Sequence, residues 1–316
     1  MQWGLPMSLW AVPAAVAFDA LLGEPQRVWR RVGHPVTWIG GAIARVDAAF
    51  NAGGARRLKG ALALLGLLAL FAVPALVLSR LLGGLGIAGL LVEALLASIF
   101  IAHRSLHEHV AAVADAGSLT EARQAVSMVV GRDVNVLDES GVAVAALETL
   151  SESLNDGVVA PVLWFAIGGL PGIVAYKVVN TADSMIGHRT PRHAAFGFAA
   201  ARVDDVMSFV PARLAALLTL VCAPHAFAGM GTLLRDAPRH VSPNAGWPET
   251  AFAIGLGVRL GGPRRYRGRV VEGATLNAAG RPPRLADVRG GLALSRRVGL
   301  LQGALYAALA LALAMA

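Results

Sequence analysis

Residues 61–78 read ALALLGLLALFAVPALVL, a run without a single charge. A helix needs roughly 20 apolar residues to cross the hydrocarbon core of a bilayer. Comparable runs occur at Leu5–Leu22, Leu81–Ala102, Val158–Tyr176, Val206–Met230 and Val298–Ala316. Together they predict an all-α, polytopic integral membrane helical bundle, a single membrane domain over residues 1–316 with polar cytoplasmic loops. Two runs are interrupted. Gly168-Gly169-Leu170-Pro171-Gly172 breaks the fourth, and the fifth carries Pro211, Arg213 and Pro224. Such breaks predict broken or re-entrant helices, which survive at membrane depth only where protein buries them or they line a cavity.

Composition supports this reading. Of 316 residues, 56% are hydrophobic and 15% charged, against about 25% charged in soluble domains. The formal charge is +8, and every basic residue except Lys59 and Lys177 is arginine. The arginines lie in loops between apolar runs, as in cytoplasmic loops of membrane proteins, which argues against a nucleic-acid partner. Arginine density places Gly23–Gly60 and Leu233–Arg297 in the cytoplasm, and counting spans then places both termini outside. It also leaves the basic stretch Lys177–Asp205 outside, a conflict that a broken or re-entrant fourth and fifth segment would resolve. The N-terminus lacks a basic n-region, so the first run is expected to be retained. The lone Cys222 permits neither a disulfide nor a cysteine-based metal site.

Three polar stretches remain: His103–Gly157, Lys177–Asp205 and Leu233–Arg297. The first reads as helical, with Ser118 and Glu121 spaced as a capping box. The last, rich in Pro and Gly, reads as loop. Glu148, Glu152 and Asp156 are spaced i, i+4, i+8 and share one face of a helix that leads into the run at Val158. Three neighbouring acids repel unless a cation or proton lies between them. The alternatives are a solvated acidic face or a divalent ion carrying phosphates, since Mg²⁺ commonly uses one or two carboxylates plus substrate phosphates. Asp204 and Asp205, just before the fifth run, suit either a metal or a helix start. Arg213 and Glu93 are charges inside apolar runs, where function, snorkelling and structural ion pairing compete. His103 and His107 lack the zinc-protease glutamate, and neither a Walker loop nor a dinucleotide glycine fingerprint occurs.

Five pieces in order carry a family resemblance: Asp19–Pro25 with His34-Pro35-Val36; Val130-Gly131-Arg132-Asp133 with Glu148–Pro161; Val179–Met185; Arg202-Val203-Asp204-Asp205; and Ser242–Glu249 with Leu260-Gly261-Gly262-Pro263. They span nearly the whole chain, which resembles the adenosylcobinamide-phosphate synthases, the CobD/CbiB membrane proteins of cobalamin biosynthesis. Ser153 and His188 depart from the family, where Asn and Tyr are usual. The resemblance implies an ATP-dependent ligase of the bacterial inner membrane. It would join (R)-1-aminopropan-2-ol or its O-phosphate to adenosylcobyric acid with Mg²⁺, giving adenosylcobinamide or its phosphate. Other membrane enzymes of cobalamin assembly are the expected partners, beside the lipid bilayer. The implied catalytic residues are Glu148, Glu152, Asp156 and Asp183. Arg132, Asn180, Arg189, Arg202, Asn244 and Glu249 would bind substrate or phosphate, and Asp204 and Asp205 the metal. A non-catalytic corrinoid transporter or scaffold is the alternative, because broken helices and intramembrane charges also serve transporters.

The arginine distribution yields a test. A cysteine placed near Arg56 should be shielded from an impermeant thiol reagent added outside the cell, and labelling from outside would reverse the orientation.

Overall fold

The computed structural model describes residues 7–266 and 268–315. In chain order the first helices are α1 (Met7–Leu22), α2 (Gln26–Val32), α3 (Pro35–Phe50), α4 (Arg56–Gly83) and α5 (Gly86–Ser98). Next come α6 (His103–Ala114), α7 (Leu119–Ser127), α8 (Glu139–Leu154), a π turn (Asn155–Val159) and α9 (Ala160–Ile186). Then follow α10 (Phe198–Met207), α11 (Phe209–Cys222), α12 (Met230–Asp236) and α13 (Gly246–Gly255). Strands β1 (Leu260–Gly261), β2 (Arg264–Tyr266), β3 (Arg269–Val271) and β4 (Thr275–Leu276) precede α14 (Leu285–Met315). Sheet is confined to two antiparallel ribbons, β1 with β4 and β2 with β3.

Among the described residues, four helical stretches are long and apolar enough to cross a bilayer: Arg56–Gly83, Gly86–Ala114, Glu139–Ile186 and Leu285–Met315. α10 and α11 pass the same test together as one bent pair. The fold is therefore that of an all-α polytopic membrane protein. Of the first apolar run, α1 covers Met7–Leu22. Leu5, at the start of that run, and Ala316, at the end of the sixth, lie outside the described residues. The expected breaks are present. Gly169 takes φ 62° inside α9, a left-handed value that glycine adopts without steric cost, and the fifth run bends between α10 and α11. The stretch read as loop, Leu233–Arg297, instead holds α13, both ribbons and the start of α14. Short ribbons and a ten-residue helix between Pro and Gly leave no long periodic signal.

The helix starts follow from side-chain caps. His34 Nδ1 accepts from Val36 N at 3.2 Å, with Pro35 at the first helical position of α3, where its missing N–H costs nothing. Asp138 Oδ1 accepts from Gly141 N at 2.7 Å to open α8. Ser118 Oγ accepts from Glu121 N at 3.2 Å, and Glu121 reaches back to Gly117 N at 2.9 Å. The capping box is thus present, displaced by one residue on its return arm.

The chain divides into two compact units, residues 1–102, 160–208 and 303–316 in the first and residues 103–159 and 209–302 in the second. In the first, α9 packs against α1, α3, α4 and α10 over Ala11, Ile39, Ile43, Phe165, Ile173 and Tyr176, all fully buried. The turn before α10 approaches α4 at Gly60, whose added Cβ would lie 1.8 Å from Phe196 O. Glu93, 1% exposed, explains how the Gly169 break is tolerated. Its Oε1 accepts from Leu170 N at 3.1 Å, an amide at the break, and from Ser79 Oγ at 2.7 Å. The intramembrane acid thus serves as a cap for interrupted backbone. At the opposite polar edge, Asp47 accepts from Arg192 at 2.6 Å and Asn51 at 2.7 Å. Burial would raise its pKa, but these bonds and one from His193 outweigh it and hold the carboxyl below its ordinary value.

In the second unit α13 packs on α8 and α11, and α6 on α7 and α8, over Leu147, Leu150, Leu154, Leu220, Phe252 and Leu260. Replacing Glu93 with Ala strips a buried amide of its acceptor, which costs about 1–3 kcal/mol. Detergent-solubilised Glu93→Ala should unfold correspondingly earlier in a thermal scan, and Glu93→Gln, which keeps an acceptor, should lose less.

Candidate active site

The second unit gathers its polar residues around Glu148, whose side chain is 3% exposed. α8 carries Glu148 on its buried side. Arg132, from the turn before α8, pairs with Oε2. Arg264, at the start of β2, pairs with Oε1 at 2.9 Å. Gly261 N donates to the same oxygen at 2.9 Å. Gly261 stands at φ 76°, and an added Cβ would meet Ala274 O at 2.2 Å. Only glycine therefore lets β1 bring its amide to the carboxylate while pairing Thr275.

Two further groups extend the cluster. Arg264 Nη2 lies 3.6 Å from Glu249 Oε2, and His240 Nε2 lies 3.6 Å from Glu249 Oε1. Ser242 N donates to His240 Nδ1 at 3.1 Å. The same Nδ1 lies 3.4 Å from Ser242 O, so the Ser242 backbone orients the ring and turns Nε2 toward Glu249. Burial, and next the Arg264 charge, lower the His240 pKa. Burial, followed by the negative charges of Glu148 and Glu152, pushes the Glu249 carboxyl well above the ordinary 4.5. Glu249 Oε2 and His240 Nε2 are buried and make no hydrogen bond among the described residues. A buried polar atom without a partner costs free energy, and a polar ligand atom would satisfy it.

The loop beneath is held in turn. Ser242 Oγ accepts from Asn244 N and Ala245 N, both at 3.2 Å, at the entry to α13. Arg213 donates to Asn244 Oδ1 at 2.8 Å and Pro243 O at 3.2 Å, with its guanidinium 3.6 Å from the Phe209 centroid and 4.6 Å from that of Trp247. Arg213 is thus a clamp on the Ser242–Trp247 loop.

The expected residues divide between the units. In the second, Arg132, Glu148 and Glu249 converge, and Glu152, an exposed side chain one turn beyond Glu148, is near enough to act on Glu249 electrostatically. Asn244 is buried on the Arg213 clamp. Asp156 is the second residue of the π turn and accepts from Asn155 Nδ2 at 2.7 Å. In the first unit, Asn180 Nδ2 donates to Asp204 Oδ1 at 3.3 Å, and Ser208 lies 3.5 Å from Oδ2. Asp205 pairs with Arg202 at 3.3 Å. Asp183 folds over Gly187, where a Cβ would lie 1.9 Å from Oδ1. Arg189 is exposed on the turn after α9. Sequence reasoning missed Arg264 and His240. The motif Leu260-Gly261-Gly262-Pro263 directly before Arg264 was the available signal, and nothing in the spacing says that it folds onto Glu148.

No three His, Cys, Asp or Glu side chains form a metal cage among the described residues. The donors at Asp183, Asp204 and Asp205 are all oxygen, which suits a hard cation that keeps waters and phosphates as its other ligands.

Helices long enough to span a bilayer and a buried cluster of acids, guanidinia and imidazole define a membrane protein with an enclosed polar site. The chain belongs to the CobD/Cbib protein family, whose sequence profile matches residues 12–295. It is 50% identical over 287 residues to the cobalamin biosynthesis protein CobD of Rhodobacter capsulatus, covering 90% of this chain and 91% of the relative. It is 45% identical to that of Sinorhizobium fredii, covering 86% and 87%, and 42% identical to that of Brucella suis, covering 88% and 89%. No solved structure matches the chain.

The raised Glu249 pKa gives a pH signature. Folded Glu249 keeps its proton where the unfolded chain loses it, so its contribution to stability is complete below about pH 4.5 and is lost as pH rises from there toward its raised value. Subtracting the stability–pH curve of Glu249→Gln from that of the wild type should show this decline with rising pH, and parallel curves would place the carboxyl in ordinary solvent.

Proposed function

We propose that the chain catalyses ATP-dependent amide formation, joining (R)-1-aminopropan-2-ol or its O-phosphate to a propionate of adenosylcobyric acid. Family membership supplies the pathway. The observation that carries the chemistry is the buried Glu148 cluster, where Glu249 and His240 present polar atoms without hydrogen bonds among the described residues.

A carboxylate is a poor electrophile. Transfer of the ATP γ-phosphoryl group to the propionate oxygen breaks the bond to ADP and makes an acyl phosphate. The amine nitrogen then attacks the acyl carbon, loses a proton, and expels phosphate. Such chemistry requires positioning and charge stabilisation more than covalent help from the protein. Each guanidinium offers five donors, so Arg132 and Arg264 can hold Glu148 and still present N–H groups to a phosphate. Glu148, in turn, fixes the two guanidinia in place. Burial, followed by the charges of Glu148 and Glu152, raises the pKa of Glu249, which favours a carboxyl that can donate a hydrogen bond to an acceptor oxygen of the substrate. Glu152, exposed beside the cluster, and Asp156 are the acids proposed to take the proton of the attacking amine. Arg189, Arg202 and Asn180 are proposed to bind substrate in the first unit. Asp204 and Asp205, with Asp183 of the same unit, would hold Mg²⁺, which would supply a Lewis acid and neutralising charge.

Purified protein in detergent or nanodiscs, given ATP, Mg²⁺, adenosylcobyric acid and the amine, should form the amide with stoichiometric phosphate release. Glu152→Gln should lower turnover by about 10²-fold, the lower range for a lost proton acceptor, while the protein still folds and inserts. Absence of ATP-dependent turnover in the wild type would leave the corrinoid transporter or scaffold.

A further inference from the structure

Within the first unit, α3 and α4 flank an apolar groove of about 370 Å³ lined by Val46, Phe50, Leu62, Gly66, Leu70 and, at one end, Lys59. From Lys59 to Leu70 the groove follows α4 for about 16 Å at 1.5 Å per residue. That is close to the thickness of one leaflet, half of the roughly 30 Å hydrocarbon core. A dry apolar concavity leaves its lining atoms without dispersion partners, and water needs polar neighbours that these walls do not offer. At Gly66 an added Cβ would meet no atom within 4 Å, so the groove deepens where α4 has no side chain.

The two ends differ in kind. Lys59 Nζ donates to Ala52 O at 2.8 Å, which uses one of its three N–H groups. Arg56 and Arg57 open α4 beside it. The nearby acid Asp47 is turned inward onto Arg192 and His193, and Asp205 onto Arg202. The rim is therefore cationic, and the remainder is hydrocarbon. An occupant must be an amphiphile with a negative head at the level where α4 begins and an apolar tail one leaflet long.

We propose that this groove is a specific site for an anionic phospholipid, one acyl chain lying along α4 over Gly66 and the phosphate on Lys59. A second copy of the chain fits less well, because its helix would need an acid at the level of Lys59 and apolar residues for the next three turns.

The test uses the full protein in nanodiscs of equal parts phosphatidylcholine and phosphatidylglycerol, with native mass spectrometry of the lipid that stays bound on release. Wild type should retain phosphatidylglycerol in preference to phosphatidylcholine. Lys59→Gln should reduce that preference roughly five-fold, the effect of one basic residue at an anionic surface. Gly66→Leu, which enters open space, should displace the retained lipid, while Gly83→Leu, equally open at the far end of α4, should not. If Lys59→Gln fails to fold, the Gly66→Leu and Gly83→Leu pair decides the matter. Unchanged retention in Gly66→Leu would overturn the proposal, as would a dimer that Gly66→Leu splits while lipid retention stays the same.

Discussion

The second unit is organised by a buried negative charge that must be neutralised where it stands. Removing a carboxylate from water costs several kcal/mol, recovered only when its geometry and hydrogen bonds are good. Glu148 meets this requirement with Arg132, Arg264 and the Gly261 amide. Those three partners come from a turn before α8, a ribbon strand and a two-residue strand, none of them helical. The ion pairs tie these irregular segments to the regular helix, and the same constraint sets two guanidinia beside the Glu249 carboxyl. Structure and proposed chemistry thus rest on one carboxylate.

The first unit solves a different problem with the same type of group. Its helices expose Leu58, Leu62, Leu65, Leu70, Val73 and Val77 along α4, a surface costly in water and without penalty in hydrocarbon. Inside, the hydrocarbon setting makes any broken backbone expensive. Glu93 meets that cost at Gly169 by supplying the acceptor that the helix itself cannot.

The fold was legible in the sequence wherever a signal was long. Residues 61–78 identify a span by composition alone, and Gly168-Gly169-Leu170-Pro171-Gly172 marks a break by its own chemistry. The partner of that break was not legible, because Glu93 and Leu170 are 77 residues apart and nothing local couples them. At the site, Arg132, Glu148 and Glu249 could be named from motifs. Arg264 and His240 could not, since Gly261 reaches Glu148 across 113 residues from a stretch whose Pro and Gly content reads as loop. The i, i+4, i+8 spacing put Glu148 and Glu152 on one helix face, yet one is buried and the other exposed. Spacing sets direction around a helix, and the packing of α13 and the ribbons decides how far along it water reaches.

The Glu93 cap also imposes an order on biosynthesis. Ser79 is made 14 residues before Glu93, so the acid leaves the ribosome with its hydroxyl partner already present. The Leu170 amide follows 77 residues later, a delay on the order of ten seconds at about 5–20 residues per second. During that interval Ser79 is the one of these two partners that has been made. The fourth apolar segment, on arrival, therefore finds a waiting acceptor, and its glycine break closes onto a partner that was inserted first.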